Sequence, residues 1–216
     1  MSNEWSLIET FKLGGVFMWP LLAFSIATLA LIIERLFYIA WHDLGVSRLR
    51  DRTLELVSNG SKGEAIAMLT AEPRKSTSAS ILLALLSNAK LGEARMEKSA
   101  EAEAQERIRR LENGFNYLTA LASLSPLTGF LGTVSGMIGA FKSIASATEV
   151  NAQLVANGIY EALITTVFGL CIAIVALIAY NLFMQRVDTF AADITKAVSD
   201  ITSTLLDRDG KEESRA

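Results

Sequence analysis

The chain is poor in residues that staple, ligate or break a fold: its 216 residues include one cysteine, Cys171, one histidine, His42, and three prolines. A lone cysteine excludes a disulfide scaffold, and one cysteine with one histidine argues against a zinc site. A net charge of −3 argues against nucleic acid as a partner. No metal or cofactor is expected, and the expectation is that the protein is not an enzyme.

Charge is absent over long stretches. All 43 charged side chains avoid Leu13 to Ile33 (21 residues), Asn113 to Phe141 (29) and Ala162 to Gln185 (24), while the other 142 residues are about 30% charged. A helix crosses a bilayer core of ~30 Å with about 20 residues, and a buried helix of a soluble domain seldom runs so long without charge. The reading is an all-α membrane protein with three transmembrane helices. The first run exceeds the usual apolar core of a signal peptide and is followed by Glu34-Arg35-Leu36, so it is expected to stay as an anchor. Thirteen Lys and Arg lie between Arg35 and Arg110 and five from Arg186 onward, against Lys12 before the first span and Lys142 between the other two. The positive-inside rule then puts the N-terminus outside and the C-terminus inside.

The expected division is an amphipathic segment on the outer side at 1–15, spans at 16–41, 113–145 and 158–185, a cytoplasmic helical loop at 42–112, a short outer loop at 146–157, and a cytoplasmic helix and tail at 186–216. Trp5, Ile8 and Phe11 have helical spacing ahead of Gly14-Gly15, in a segment too short to be stable alone. Pro20 suits a first helical turn, and Trp19 and Trp41 form an interfacial belt, about 33 Å apart along a helix. Arg35 is expected to snorkel to the headgroups, while Glu34 needs a partner or the interior. The loop shows breaks at Ser58 to Ser61 and at Glu72-Pro73, with helical segments such as Glu64 to Leu69 and Ser80 to Leu91.

From Glu93, Ile108, Leu111, Phe115, Leu118 and Ala122 trace one stripe, which reads as a single long helix rising into the second span. The third span mirrors it: Val187, Phe190, Ile194, Val198, Ile201 and Leu205 keep the period until Asp207 to Gly210. These cytoplasmic extensions need protein to pack against, either other copies of the chain or its own first helix and loop.

The second span places Ser125, Gly129, Gly132, Gly136 and Gly139 on one strip with Thr133 at its edge. In lipid such small residues let helix backbones approach, and Gly169-xxx-Ala173 offers a match on the third span. Pro126 reads as a kink that frees a carbonyl. Thr133 lies mid-span and Thr165-Thr166 in the outer part of the third, with no ionisable residue inside either run. A membrane threonine either bonds its own helix one turn back or lines a wet path, but it does not titrate near neutral pH. A proton path here needs a carboxylate from another chain. Glu161, after the candidate cap Asn157, is either a favourable first-turn acid or stands at the mouth of an ion path.

The blocks Asn113 to Leu118, Ser125-Pro126-Leu127-Thr128-Gly129-Phe130-Leu131-Gly132-Thr133-Val134 and Val155 to Leu170 resemble the ExbB/TolQ/MotA proton-channel family in content, order and spacing. The opening Gly14 to Leu22 with Ile33-Glu34-Arg35-Leu36 is similar to ExbB-type members, and three spans with a modest loop favour the ExbB/TolQ branch. The resemblance implies a homopentamer in the bacterial inner membrane around a central pore lined by the second and third helices. It also implies two copies of an ExbD- or TolR-like single-span partner whose membrane aspartate carries the proton, acting through a TonB- or TolA-like protein. By motif position Thr133 and Thr166 match the family's pore threonines and Glu161 its glutamate at the third span. Thr165 adds an adjacent hydroxyl, so which of the two faces the pore rests on register. Pro126, Gly129, Gly132, Gly136, Gly139 and Gly169 then pack helices at the pore, and Trp19, Glu34, Arg35 and Trp41 anchor the interface. The competing class is a non-conducting homo-oligomeric scaffold binding a cytoplasmic partner. A solute transporter lacks the expected broken helices or internal repeat.

Overall fold

The structure is a computed structural model that describes residue 11 and residues 14–73, 75–146 and 152–213. Its helices, in chain order, are α1 (Met18–Trp41), α2 (Ser47–Ser58), α3 (Lys62–Ala71), α4 (Thr77–Ser87), a single 3-10 turn (Ala89–Leu91), α5 (Glu93–Leu111), α6 (Phe115–Ser146) and α7 (Ala152–Glu213). Among the described residues the β-pairing is one isolated bridge, Asp43 with Ser76. The stretches Met18–Trp41, Glu93–Ser146 and Gly158–Arg208 are long and apolar enough to cross a membrane, matching the three charge-free runs. The N-terminal segment with Trp5 and Ile8, and most of the loop before Ala152, lie outside the described residues.

The chain divides into two compact units, residues 1–34 with 114–182, and residues 35–113 with 183–216. In the first, large side chains point outward: Phe130, Phe141, Ile138, Leu163, Val167 and Ile174 are all more than half exposed. Its inside holds small residues, with Ser125, Gly129, Gly132, Ala162 and Ala176 buried. That inversion is what lipid selects, because aliphatic side chains gain nothing by leaving hydrocarbon and helices pair through backbone approach and polar contacts. A smaller apolar cluster joins α1 to α7 through Met18, Leu21, Ile164 and Ile172, with Phe11, Phe24 and Phe168 against it.

Thr28, seven residues after Leu21 and so on the same face of α1, is 2% exposed, and its hydroxyl has no hydrogen-bond partner among the described residues. Thr28→Val keeps the shape and removes an unsatisfied oxygen, so it is expected to stabilise the protein by about 1 kcal/mol. Thermal unfolding in detergent measures this, and a fall in the midpoint would show that the hydroxyl is satisfied.

The second unit has an ordinary apolar core. In α4, Thr77, Ser78, Ala79, Ile81, Leu82, Leu85 and Leu86 are all buried, which makes it a central helix. The side chain of Ser76 caps its start by accepting from the Ala79 N–H at 3.4 Å. At its end Asn88 donates to the Ala84 carbonyl and to Ser99 Oγ of α5, both at 2.9 Å. Gly60, at φ +90°, closes α2, and the Ser61 N–H returns to the Leu56 carbonyl. Arg208 of α7 donates to the Val57 carbonyl at 3.2 Å, and Arg50 of α2 stands 3.9 Å from Asp200. The exposed face of α5 carries the pairs Arg107–Glu103, Arg109–Glu106 and Arg110–Glu106.

Several expectations change. The stripe from Glu93 into the second span is not one helix: α5 ends at Leu111 and α6 begins at Phe115, with Gly114 at φ +90°. A positive φ cannot belong to a right-handed helix, and glycine adopts it without penalty. Helix α7 is described from Ala152, so 152–157 are helical and Asn157 lies inside a helix instead of capping one. It also passes through Asp207 to Gly210, the expected stop. Pro126 sits inside α6 without ending it.

Val187, Phe190, Ile194, Ile201 and Leu205 are buried by the chain itself, so this stripe is no argument for self-association. Arg35 does not snorkel: it is 5% exposed, stacks over Tyr38 at 4.8 Å and points Nη1 at the Arg110 carbonyl, 3.5 Å away. Glu34 is exposed.

Candidate functional site

Helices α6 and α7 meet along a seam of small residues within the first unit. A methyl group at Gly169 would lie 2.5 Å from the Ser125 carbonyl oxygen and 3.3 Å from Gly129 Cα. At Gly129 it would meet the Thr165 carbonyl oxygen at 2.7 Å, and at Gly132 the Thr165 hydroxyl oxygen at 2.5 Å. At Gly136 it would meet Ala162 Cβ and the Gly158 carbonyl oxygen, both at 3.1 Å, and at Gly158 the Ala140 Cβ at 2.7 Å. Glycine is thus required by close approach along four turns of α6. Gly139 departs from the expected strip: it is exposed and has nothing within 4 Å.

Midway along the seam three hydroxyls gather around two carbonyls. Thr133 Oγ1 reaches the Ala162 carbonyl at 3.0 Å and its own Gly129 carbonyl at 3.3 Å, and it shares a short hydrogen bond with Thr166 Oγ1. Thr166 also reaches the Gly129 carbonyl at 3.2 Å. Thr165 donates within reach of the Ala162 carbonyl at 2.8 Å and the Gly129 carbonyl at 3.2 Å. Thr165 is buried at 1% exposure, whereas Thr133 and Thr166 are half-buried. The two threonines matched by motif position therefore pair at the edge of the seam. The extra one lies inside it.

These residues meet because the helices run antiparallel through a glycine-lined crossing: Gly129 and Gly132 on α6 leave the space that Thr165 fills. Every ionisable group is absent from this cluster, so it can accept, donate and reorient hydrogen bonds but cannot store a charge. Glu161, half-buried on α7, lies against the turn that enters α1: a side chain at Gly15, held at φ +66°, would collide with its carboxylate. The Asn157 side chain lies outside the described ones. Cys171 is exposed, and Tyr180 packs edge-on against Phe115 with ring centres 6.0 Å apart. Trp19 and Trp41 are exposed, the first edge-on to Phe11 at 5.3 Å and the second under the Lys75 ammonium at 4.1 Å. His42 Nδ1 lies 2.9 Å from the Tyr38 carbonyl oxygen. Among the described residues no cluster of His, Cys, Asp or Glu could hold a metal.

The sequence reading missed Gly158 and Ala162, which complete the α7 side of the seam. Their spacing of four from each other, continued toward Thr165-Thr166 and Gly169, was the signal available. It also passed over Thr28, whose only mark was a hydroxyl in an apolar run.

The model of the MotA/TolQ/ExbB proton channel family matches residues 73–196, which include the whole threonine cluster and its glycines. The chain belongs to this family. An ExbB-like biopolymer transport protein of Synechocystis sp. is 36% identical over 173 residues, covering 79% of this chain and 81% of that one. The Tol-Pal system protein TolQ of Haemophilus influenzae is 41% identical over 98 residues, 45% of this chain and 43% of its own length. The biopolymer transport protein ExbB of Salmonella typhimurium is 37% identical over 86 residues, 40% of this chain and 35% of its own length. With relatives so named, the chain lies on the ExbB/TolQ branch: it is a membrane protein of a proton-channel family.

Proposed function

We propose that the chain is the multi-span channel subunit of a proton-driven motor, acting without enzymatic chemistry of its own, in the inner membrane of a bacterium. Its N-terminus is periplasmic and its C-terminus cytoplasmic. It assembles as a homopentamer around two copies of an ExbD- or TolR-like single-span partner, and it energises an ExbB- or TolQ-type envelope process such as outer-membrane nutrient import through a TonB- or TolA-like protein.

The observation that carries this reading is the half-buried Thr133–Thr166 pair, which offers hydroxyls at the edge of a charge-free seam. A hydroxyl pair in a low-dielectric setting is a hydrogen-bonding surface for a carboxyl group in either protonation state, but it is no proton store. The carrier is therefore a carboxylate of the partner. Each protonation removes its charge and weakens its hold on the hydroxyls, so that the next copy's pair takes it up. A potential of 100 mV supplies about 2.3 kcal/mol per proton, which is enough to bias such steps. Glu161, beside Gly15 and near one end of the charge-free run, stands at the entry to this path.

The test is proton flux into vesicles carrying the chain with its single-span partner, comparing wild type with Thr133→Ala plus Thr166→Ala. Flux is expected to require the partner and to fall at least tenfold in the double variant, with assembly intact. Absence of partner association, with flux no higher than in empty vesicles, would overturn the reading in favour of a non-conducting scaffold.

A further inference from the structure

The count of donors and acceptors around the threonines does not balance in a neutral way. In a helix the Thr133 N–H bonds the Gly129 carbonyl and the Thr166 N–H bonds the Ala162 carbonyl, four residues back in each case. A carbonyl oxygen accepts two hydrogen bonds, so each has one place left. Three hydroxyl protons compete for these two places: Thr165 reaches both, Thr133 reaches both, and Thr166 reaches the one at Gly129. Within the cluster the third proton has a single remaining acceptor, the oxygen of the other member of the Thr133–Thr166 pair.

Three complete arrangements follow. If Thr165 donates to the Ala162 carbonyl, its shorter contact at 2.8 Å, then either Thr166 donates to the Gly129 carbonyl and Thr133 to Thr166, or Thr133 donates to the Gly129 carbonyl at 3.3 Å and Thr166 to Thr133. If Thr165 swings its proton to the Gly129 carbonyl at 3.2 Å, then Thr133 donates to the Ala162 carbonyl at 3.0 Å and Thr166 donates to Thr133. The Thr165 oxygen need not move in this exchange, since it lies within reach of both carbonyls. In the first of these the Thr133 oxygen receives no hydrogen bond from the cluster, and in the other two the Thr166 oxygen receives none.

We propose that Thr165, which makes no surface contact itself, is a positioning residue: by filling one of the two carbonyl places it keeps a proton between Thr133 and Thr166, and by donating to the Gly129 carbonyl it fixes that hydrogen bond toward Thr133 and leaves Thr166 to offer its lone pairs to a proton donor. This rests on the reading of that pair as part of the proton path. Without the Thr165 hydroxyl both carbonyl places are open, so Thr133 and Thr166 each donate to a carbonyl and no proton remains between their oxygens. The close oxygens then repel, the pair opens, and its direction is lost.

The experiment uses the full chain co-expressed with its single-span partner, with proton flux measured in vesicles. Thr165→Val keeps the branched shape and removes the donor, and flux is expected to fall about five- to tenfold, the scale of one well-placed hydrogen bond. Thr165→Ser keeps the donor and loses the methyl, and it is expected to restore flux to within about twofold of wild type, as one hydroxyl suffices for the count. Where Thr165→Val does not assemble, Thr165→Ala carries the same comparison against Thr165→Ser. A second readout needs no partner: thermal stability of Thr133→Val, Thr166→Val and their combination should show coupling between the two sites in the wild-type background and none in Thr165→Val.

Equal flux in Thr165→Val and wild type, while Thr133→Val and Thr166→Val each abolish it, would overturn the role of Thr165 and leave the proton path standing. Loss in Thr165→Ser as deep as in Thr165→Val would assign Thr165 to packing. Flux unchanged in all three single threonine-to-valine variants would overturn the path itself, and the unchanged coupling cycle would then identify a purely structural cluster.

Discussion

Gly169→Ala is expected to cost about 3 kcal/mol of stability, at the upper end for an added methyl in a filled interior. The methyl would stand 2.5 Å from the Ser125 carbonyl oxygen, 3.2 Å from its carbon and 3.3 Å from Gly129 Cα, all of them backbone atoms. A flexible side chain can turn aside, but a helix backbone can yield only by moving the whole helix. Separation of α6 from α7 would also stretch the contacts of Thr133, Thr165 and Thr166 to the two carbonyls, so proton flux should fall with stability. The control is Gly139→Ala, where the added carbon meets nothing within 4 Å. Alanine is a better helix former than glycine by about 1 kcal/mol, so this variant should melt at or above the wild-type midpoint. Thermal unfolding of the two variants in the same detergent decides the matter. Equal midpoints would mean that the seam is looser than its geometry.

Leu85→Ala should destabilise the second unit by about 2–5 kcal/mol, the usual range for emptying a leucine site in a packed core. Leu85 is fully buried on α4, between the capped start at Ser76 and the Asn88 bonds to Ala84 and Ser99. Those bonds tie α4 to α5 and hinder the collapse that would otherwise fill the cavity. Leu91, in the 3-10 turn after α4, is 56% exposed, and Leu91→Ala is expected to stay within about 0.5 kcal/mol of wild type. Hydrogen exchange of the α4 and α5 amides reads the loss where it occurs. Protection in Leu85→Ala equal to that in Leu91→Ala would show that α4 is not the centre of this unit.

Much of this architecture can be read from the residues because bilayers and helices impose simple periods. The three charge-free runs became three apolar helices, and the strip from Ser125 to Gly136 became the face that α7 packs on. Spacing also brought Thr133 and Thr166 to one place. It could not say which way each hydroxyl turns, because that depends on carbonyls of two helices far apart in the chain. Gly139 shares the strip's angle but lies beyond the crossing, where contact ends, and angle alone does not report where a crossing ends. The stripe passes over Gly114 because periodicity carries no backbone angle, yet its positive φ divides α5 from α6. Arg35 was read against lipid because a sequence shows no Tyr38 ring or Arg110 carbonyl beside it. The stripe from Val187 to Leu205 had two possible covers, and the chain supplies one itself.

The absence of any ionisable group among Thr133, Thr165 and Thr166 has a consequence for how the assembly responds to acidity. Titration curves of flux have a midpoint and an amplitude. Under the proposed path, the midpoint is a property of a carboxyl group on the partner chain, and the amplitude belongs to the hydroxyls. Two curves that differ in height but cross half-maximum at the same pH would thus be the signature of a threonine variant, while a displaced curve would report a change in a different polypeptide.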